Sequence, residues 1–509
     1  MRPPRPLIAA RGGPVPTLTS VNRHTARLRT ADHALAERIA GVERPTVDAV
    51  MRRASRLADH GALWWIVALL LAATGGRARR GAVRGLLSLV FASGLTNAVL
   101  KPLLPRRRPP ARQWSNVRRG VRTPRSSAFP SGHSASAFAF ATGVALESPL
   151  AGAAVTPLAA AVTYSRVHNG VHWPSDVVAG AAIGTAVAAG TRRWWAVRSD
   201  EPADVGRDRP APALDRGSGV VVFTNRESGT DGADIVAAVT EALPDARIVE
   251  FDPDRDFAAQ IDEDVRRHTP AALGVAGGDG TVVVVAAAAE RHRLPLAVFP
   301  GGTFNHFARD VGAAEVSDTA SAIESGSTVA VDRAEVVTDD GTAHPFLNTA
   351  SLGGYPDAVR LRERWQPRLG KWVAAAAAMI RVLAAAEPLS VAIDGRPLQV
   401  WMLFIGNGRY SPGDQVPMSR PAITGGQLDI RCLRADRRWS RLRLLFAAAT
   451  GTLGESRVYS RQLAETVTVR ITGRHVALAT DGEVVDDARH FVFRACPEAL
   501  TVYRRPTPG

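Results

Sequence analysis

Between Gly61 and Thr191 the chain carries five apolar runs, Gly61–Thr74, Gly81–Leu100, Ser134–Leu146, Ala151–Tyr164 and Val177–Thr191, separated by breaks of unequal length, two of them arginine-rich. Such runs either cross a bilayer or pack on one another as a helical core. Several fall short of the roughly 20 residues a spanning helix needs and are rich in alanine, which keeps a soluble helical core open. The Leu, Val and Trp density of Leu63–Leu71 and the repetition of the pattern favour a membrane helical bundle, with helices extended by flanking residues. Before it, Ala31–His60 places Leu35, Ile39, Val42, Val47, Val50, Met51 and Leu57 at helical spacing among charges. That is the pattern of an amphipathic helix that packs or lies at an interface. Met1–Thr30 is rich in Pro and Arg without periodicity and is expected to be disordered.

After Trp195 the texture changes. Ala196–Gly217 is rich in Pro, Asp and Arg and reads as a linker. Gly219–Thr224, Ala272–Ala276 and Leu296–Phe299 are short β runs separated by helical patterns, which implies an α/β lobe with a parallel sheet. Alternation then recurs in Val329–Val336, Leu398–Ile405, Gln427–Cys432, Thr466–Ile471 and His475–Thr480, interrupted by an apolar helix over Lys371–Ala386. The expected fold is therefore multidomain. An all-α membrane helical bundle occupies residues 31–195, a linker 196–217, an α/β nucleotide-binding lobe 218–327 and a β-sandwich lobe 328–509.

A length of 509 residues agrees with several domains. The net charge is +15, almost all from arginine, since lysine occurs only at Lys101 and Lys371. A basic chain suits nucleic acid or an anionic membrane surface. With apolar helices present and no nucleic-acid motif, membrane is the better reading. Cys432 and Cys496 are isolated and suggest neither a disulfide framework nor a metal site. The N-terminus lacks the layout of a cleaved signal.

Three short blocks in the first half carry chemistry. Lys101 and Arg108-Pro109 are separated by six residues; Pro130-Ser131-Gly132-His133 opens the third apolar run; Ser165-Arg166 precedes His172 and Asp176. Arg108 and Arg166 can grip phosphate oxygens bidentately, and Lys101 adds a point charge. Ser131 and Gly132 would offer backbone N–H groups at a helix start to an anion. His172 can attack phosphorus, Asp176 can hold its tautomer, and His133 can protonate the leaving alkoxide, with no metal required. Counted through the apolar runs, all three blocks lie on one membrane face, and everything after Trp195 lies on the other. Charge does not settle the orientation: Arg77, Arg79, Arg80, Arg84, Arg192 and Arg193 flank one face, and a larger set that includes Lys101, Arg106, Arg107 and Arg108 flanks the other.

These blocks resemble the three signature blocks of the type-2 phosphatidic acid phosphatase family over Gly61–Trp195. The resemblance implies lipid phosphate hydrolysis through a phosphohistidine, in a helical membrane fold without a cofactor.

In the second half, Gly277-Gly278-Asp279-Gly280-Thr281 follows a strand and opens a helix, and Gly301-Gly302-Thr303-Phe304-Asn305 follows the next strand. Loops at the carboxyl ends of parallel strands are where such sheets bind ligands, and glycines let backbone N–H groups approach phosphates. Asp279 could act through Mg²⁺. No Walker lysine follows, and the glycine loop alone is equally a tight strand-to-helix turn. Together with Asn225-Arg226-Glu227-Ser228-Gly229 and Phe307-Ala308-Arg309, these stretches are similar to blocks of the diacylglycerol kinase catalytic family over Gly219–Tyr503. The resemblance implies ATP and Mg²⁺ as cofactors, with nucleotide binding by Asn225, Ser228, Gly229, Gly277, Gly278, Asp279, Gly280, Thr281, Gly302, Thr303 and Asn305. From Asp481-Gly482-Glu483 it implies Asp481 as the base that activates a lipid hydroxyl and Glu483 as its partner. The chain departs from the family pattern at Arg226, at Val283-Val284 and at Thr424-Gly425-Gly426.

The expected whole is a multi-pass cell-membrane enzyme that pairs a lipid phosphate phosphatase with a cytoplasmic ATP-dependent lipid kinase. Its partners are membrane lipids and ATP, with no nucleic acid; oligomeric state stays open, a dimeric kinase half being one option. Alternatives are a catalytically silent, regulatory kinase half, a phosphatase acting alone on an isoprenoid diphosphate, and a soluble-metabolite kinase such as an NAD kinase.

Overall fold

The computed structural model describes residues 18–41, 44–58, 61–110, 126–197, 201–225, 232–302, 305–353, 361, 364–365, 381 and 387–506. The chain forms two compact units, Met1–Val197 and Arg198–Gly509. The apolar helix expected over Lys371–Ala386 lies, apart from Arg381, outside the described residues.

The N-terminal unit is helical: α1 Leu18–Ala40, α2 Pro45–Leu57, α3 Ala62–Ala73, α4 Gly76–Leu103, α5 Gly132–Glu147, α6 Pro149–His168 and α7 Pro174–Gly190. Helix α1 starts inside the stretch expected to be disordered. The Pro and Gly residues of that stretch all precede Leu18, so nothing after it breaks a helix. Among the described residues α4, with 28 residues, is the one helix long and apolar enough to cross a membrane, its most apolar 18-residue stretch having mean hydropathy 1.5; α2 and α3, bent by 78°, would count as a second only if the pair formed one span. Helices pack where glycine permits close approach. A Cβ on Gly143 would lie 2.8 Å from the Gly85 Cα, so α4 and α5 meet backbone to backbone. Arg84, expected as a flanking cation, is instead buried. Its Nε donates to Glu147 at 2.7 Å, Nη1 to Thr191 Oγ1 at 2.9 Å and Nη2 to the Trp195 carbonyl at 2.6 Å. A buried guanidinium needs such pairing, and no local pattern distinguishes it from its exposed neighbours.

In the C-terminal unit, strand β1 is Asp208–Pro210, and strands β2 Val220–Thr224, β3 Arg247–Glu250, β4 Ala272–Gly277 and β5 Leu296–Pro300 pair in parallel in the order β3-β2-β4-β5. Both faces are covered. Val221, Phe223, Leu273, Val275 and Val298 enter one core, while Val220, Val222, Ala272, Ala297 and Phe299 enter another, the two-residue period of strands buried on both sides. The later strands are antiparallel and enclose a third core, which includes Val336, Leu352, Leu403, Ile430, Val469, Leu478 and Phe493. The last strand, His490–Tyr503, belongs to both parts: it pairs antiparallel with Ser327–Val337 and, through Val502 and Leu296, parallel with β5. The segment expected as a linker is also built in. Ala203 is buried, Asp204 bridges Ala422, and Asp208–Pro210 pairs with Ser327–Val329. A three-residue edge strand offers no periodicity to read, and Pro210 is tolerated at an edge.

Candidate active sites

The three phosphatase blocks come together in the N-terminal unit. His172 sits in the turn between α6 and α7, buried, with Nδ1 3.5 Å from Asp176 Oδ2 and Nε2 3.3 Å from Arg108 Nη1. A guanidinium can only donate, so Nε2 carries the lone pair and the ring proton belongs on Nδ1, toward Asp176. Asp176 is fixed twice more: Oδ2 accepts the Trp173 N–H at 2.8 Å, as the capping box that starts α7, and Oδ1 accepts from Arg106 Nη1 at 2.6 Å. Burial pushes the His172 ring down to about 4; Asp176 pulls it up, and Arg108 and Arg166 push it further down.

Arg166 is buried in the last turn of α6 and donates to Ser55 Oγ. Its carbonyl accepts the N–H groups of Val171 and His172 at 3.1 and 3.2 Å, which sets the turn carrying His172. Arg108 also holds the Val171 carbonyl at 2.6 Å. Helix α4 widens into a π-helix over Leu95–Leu100, a distortion that recurs at functional sites. There Asn97 accepts from Lys101 Nζ at 2.7 Å. A Cβ on Gly132 would lie 2.9 Å from Asn97 Oδ1 and 3.4 Å from Lys101 Nζ, so glycine lets this pair lie against the start of α5. His133 follows in the first turn, half-buried. One expectation is corrected: the Ser131 N–H does not face an anion. It donates to the Asp176 carbonyl at 3.0 Å and Ser131 Oγ caps α5 through the Ser134 N–H, so this residue ties the second block to the third.

In the C-terminal unit the glycine loop and the late acidic turn meet. A Cβ on Gly280 would collide with the Glu483 carboxylate, whose Cδ lies 2.9 Å from that position. Asp481 (φ +49°) accepts three backbone N–H bonds at 2.8 Å, from Leu347, Asn348 and Thr349. Burial nevertheless pushes Asp481 up to about 6, with the three N–H donors opposing and the nearby Asp279 charge reinforcing. Asp279 starts the helix Asp279–His292 and accepts the Phe307 N–H at 3.4 Å. Asn305, in the left-handed region at φ +50°, accepts the Gly302 N–H at 2.7 Å. The two glycine turns touch: a Cβ on Gly301 would lie 2.8 Å from the Gly277 N, and one on Gly302 2.7 Å from the Gly278 Cα. A Cβ on Gly277 would meet Thr281 Cβ at 3.0 Å. Asn225 directly follows β2, and Ser228, Gly229 and Thr303 lie outside the described residues. Val283 and Val284, at the family departure, pack against the core. At Thr424-Gly425-Gly426, the Gly426 N–H donates to Asp332 at 2.6 Å, and Asp332 also accepts the Glu498 N–H at 2.8 Å. Among the described residues no cluster of three or more His, Cys, Asp or Glu could hold a metal.

Residues 82–200 match the profile of the PAP2 superfamily. Decaprenylphosphoryl-5-phosphoribose phosphatase of Mycobacterium tuberculosis is 37% identical over 151 residues, 29% of this chain and 80% of that one. The chain belongs to the PAP2 superfamily. Beside its PAP2 domain it carries a diacylglycerol kinase catalytic domain, matched over residues 219–336. Lipid kinase YegS of Escherichia coli is 29% identical over 191 residues, covering 35% of this chain and 62% of that protein. Among solved structures, a diacylglycerol kinase of Bacillus anthracis is 18% identical, with TM-score 0.39 over 56% of this chain and 97% of that one. A PAP2 type phosphatidylglycerolphosphate phosphatase of Bacillus subtilis is 24% identical, with TM-score 0.27 over 33% of this chain and 86% of that one.

Around the PAP2 site the structure adds residues the sequence did not single out. Asp32, buried on α1, accepts from Arg106 Nη2 at 2.6 Å, from Ser175 Oγ at 2.6 Å and from the Ser175 N–H at 2.8 Å. Helix α1 is seated by Ala36 and His33 against Trp173, next to His172. Asp32, Arg106, Ser175 and Asp176 thus form one network behind the histidine. Asp48 of α2 pairs with His168 at 2.6 Å. Asn97 stands four residues before Lys101 on a helix and was legible in principle; Asp32 lies far away in sequence and was not. In the kinase unit, buried Arg420 donates to Asn348 Oδ1 at 2.9 Å, to Asp310 Oδ2 at 2.8 Å and to the Leu347 carbonyl. It braces the segment whose N–H groups hold Asp481.

Proposed function

We propose that the chain is a bifunctional membrane lipid enzyme: a phosphatase that works through a phosphohistidine at His172, joined to an ATP-dependent lipid kinase. The observation that carries the first half is the buried His172 ring, with its lone pair at Arg108 and its N–H side at Asp176. In this reading Lys101, Arg108 and Arg166 bind the phosphate, and Nε2 forms a bond to phosphorus as the ester P–O bond breaks. His133 donates a proton to the leaving alkoxide, then takes one from the water that cleaves the phosphohistidine. The exposed apolar side chains Trp65, Leu69, Leu70, Val90 and Phe91 on α3 and α4 support a lipid-facing bundle. The mycobacterial relative's name favours a polyprenyl-linked phosphate ester as substrate. The test is release of phosphate from such an ester, from phosphatidate and from a polyprenyl diphosphate, with trapping of an acid-labile phosphoprotein. Hydrolysis without any His172-dependent phosphoprotein would reject the mechanism.

In the kinase unit the fit to ATP rests on the two glycine turns, which are pressed backbone to backbone and leave no room for a Cβ. Gly277–Thr281, Gly302 and Asn305 would hold the phosphates. Asp279 would hold Mg²⁺ together with them, since Mg²⁺ commonly takes one or two carboxylates plus substrate phosphates. ATP would supply the phosphoryl group and Mg²⁺ the charge neutralisation. Asp481 would take the proton of the lipid hydroxyl: a carboxylate has about four lone-pair sites, and the three N–H bonds leave one. Because this half uses ATP, we place it in the cytoplasm.

Two further outcomes follow. Neutral His172 is the nucleophile, and its folded pKa lies below the ordinary 6.5 at about 4. The acid limb of kcat/KM for hydrolysis, which reports the free enzyme, should therefore fall near pH 4. An acid limb near 6.5 would mean that the ring is not desolvated in the working enzyme. The same depression makes this residue's stabilising contribution full above 6.5 and lost as pH falls toward 4. Separately, Asp32→Asn should lower kcat/KM for hydrolysis about 10- to 100-fold through misplacement of the histidine. Asp32→Glu should recover part of it, and kinase activity should not change. Unaltered hydrolysis by a folded Asp32→Asn protein would show the network to be inert.

A further inference from the structure

We propose that the helix Ser440–Thr450 of the C-terminal unit is a docking face for an anionic bilayer surface. Its inner side is settled: Ser440 and Ala447 are buried and Leu444 is half-buried, at positions i, i+4 and i+7. At about 100° per residue, Leu442, Leu445, Phe446 and Ala449 fall on the opposite side. There Leu442 is 57% exposed, Leu445 62% and Phe446 68%, and Trp439 at the helix start is 62% exposed. This is a continuous apolar stripe turned away from the core, the kind of patch that marks an interaction site.

The charges say what covers it. Arg441 and Arg443 flank the stripe on its two sides, Arg437 and Arg438 precede it, and no acidic residue occurs from Arg437 to Thr450. The helix is anchored, not dangling: Arg441 lies over the Trp401 ring at 4.7 Å, and Arg443 Nε donates to the Arg438 carbonyl at 3.0 Å. An apolar stripe with a tryptophan at one end and an arginine rim matches an interfacial helix, whose cations are each attracted to anionic headgroups. A second copy of the chain is the weaker occupant. A two-fold contact through this stripe would bring the same arginines face to face with no acid between them.

The test uses the full chain in nanodiscs of phosphatidylcholine alone or of phosphatidylcholine with phosphatidylglycerol. An environment-sensitive fluorophore is placed on Leu445→Cys in a Cys496→Ser background, Cys432 being buried. The same label on Asp339→Cys, in an exposed turn, is the reference. The expected result is a blue shift and quenching by spin-labelled lipid at position 445 in the phosphatidylglycerol discs. Both should be absent at 339, in phosphatidylcholine discs, and in the Arg438→Glu/Arg443→Glu double variant. Phe446→Cys repeats the measurement in case the first variant is defective. Equal signals at 445 and 339, or equal signals in the two disc types, overturn the proposal. So does a blue shift that grows with protein concentration in detergent without lipid, which would assign the stripe to a second copy. The readout does not depend on phosphoryl transfer, so it stands or falls apart from the proposed kinase activity.

Discussion

A His172→Ala protein should lose lipid phosphate hydrolysis by on the order of 10⁴-fold or more, the scale on which removing a nucleophile from a triad-like unit acts, while it still phosphorylates a lipid alcohol. The loss is expected to be large because the groups facing the ring cannot replace it. Arg108, Arg166 and Lys101 are cations without a lone pair, and Asp176 is already held by Arg106 and the Trp173 N–H. The fold should survive. Among the described residues the ring of His172 has its polar contacts with Arg108 and Asp176, and the turn itself is set by backbone bonds to the Arg166 carbonyl. Phosphate release from a lipid phosphate, measured beside labelled-ATP transfer to a lipid alcohol, checks both halves at once. If both activities fell together in a folded protein, the two-site reading would be wrong.

The second large effect is expected at Asp481. In the His172→Ala background, where the product is not erased, Asp481→Ala should lower phosphorylation of diacylglycerol, a sphingoid base or a polyprenol by about 10²- to 10⁴-fold, the usual worth of a general base. Restored His172 should hydrolyse lipid phosphates normally in the same variant. The pH profile sharpens the assignment. With Asp481 pushed up to about 6, the base is ionised above that pH, and kinase kcat/KM should fall as pH drops through it. Asp481→Asn is a poorer probe, because its amide NH₂ would point at backbone N–H donors and leave one unsatisfied. Absence of lipid product from the His172→Ala parent itself would assign the C-terminal unit a regulatory role beside a working phosphatase.

Much of this was legible in the chain. The motif blocks are local in sequence, and their spacing on helix starts and strand ends follows from short-range rules. The apolar runs gave the helices α3 to α7, and the glycine turns gave the carboxyl ends of β4 and β5. What could not be read depends on contacts between distant residues. Asp32 and Asp176 share Arg106 across three elements, and no pattern near Asp32 marks it apart from other acids on an amphipathic helix. Arg84 and Glu147 look like ordinary charges until the helices carrying them pack. The segment after Ala203 read as a linker because its order comes from pairing with Ser327–Val329, not from its own composition. Ser131 was misread for a related reason: its N–H serves the Asp176 carbonyl, a partner 45 positions away that no local rule supplies.

The strand His490–Tyr503 carries one more implication. Its first half completes the antiparallel core, and its last residues close the parallel sheet at Leu296. The parallel sheet is therefore unfinished until the chain has been made through Tyr503, although its other strands emerge first. Loop closure over such a separation is slow, and exposed strand edges waiting for a partner invite aggregation. Production of this protein is consequently expected to depend on how well the early α/β segment is shielded during synthesis, and the C-terminal unit matures as one body, not as two modules folded in turn.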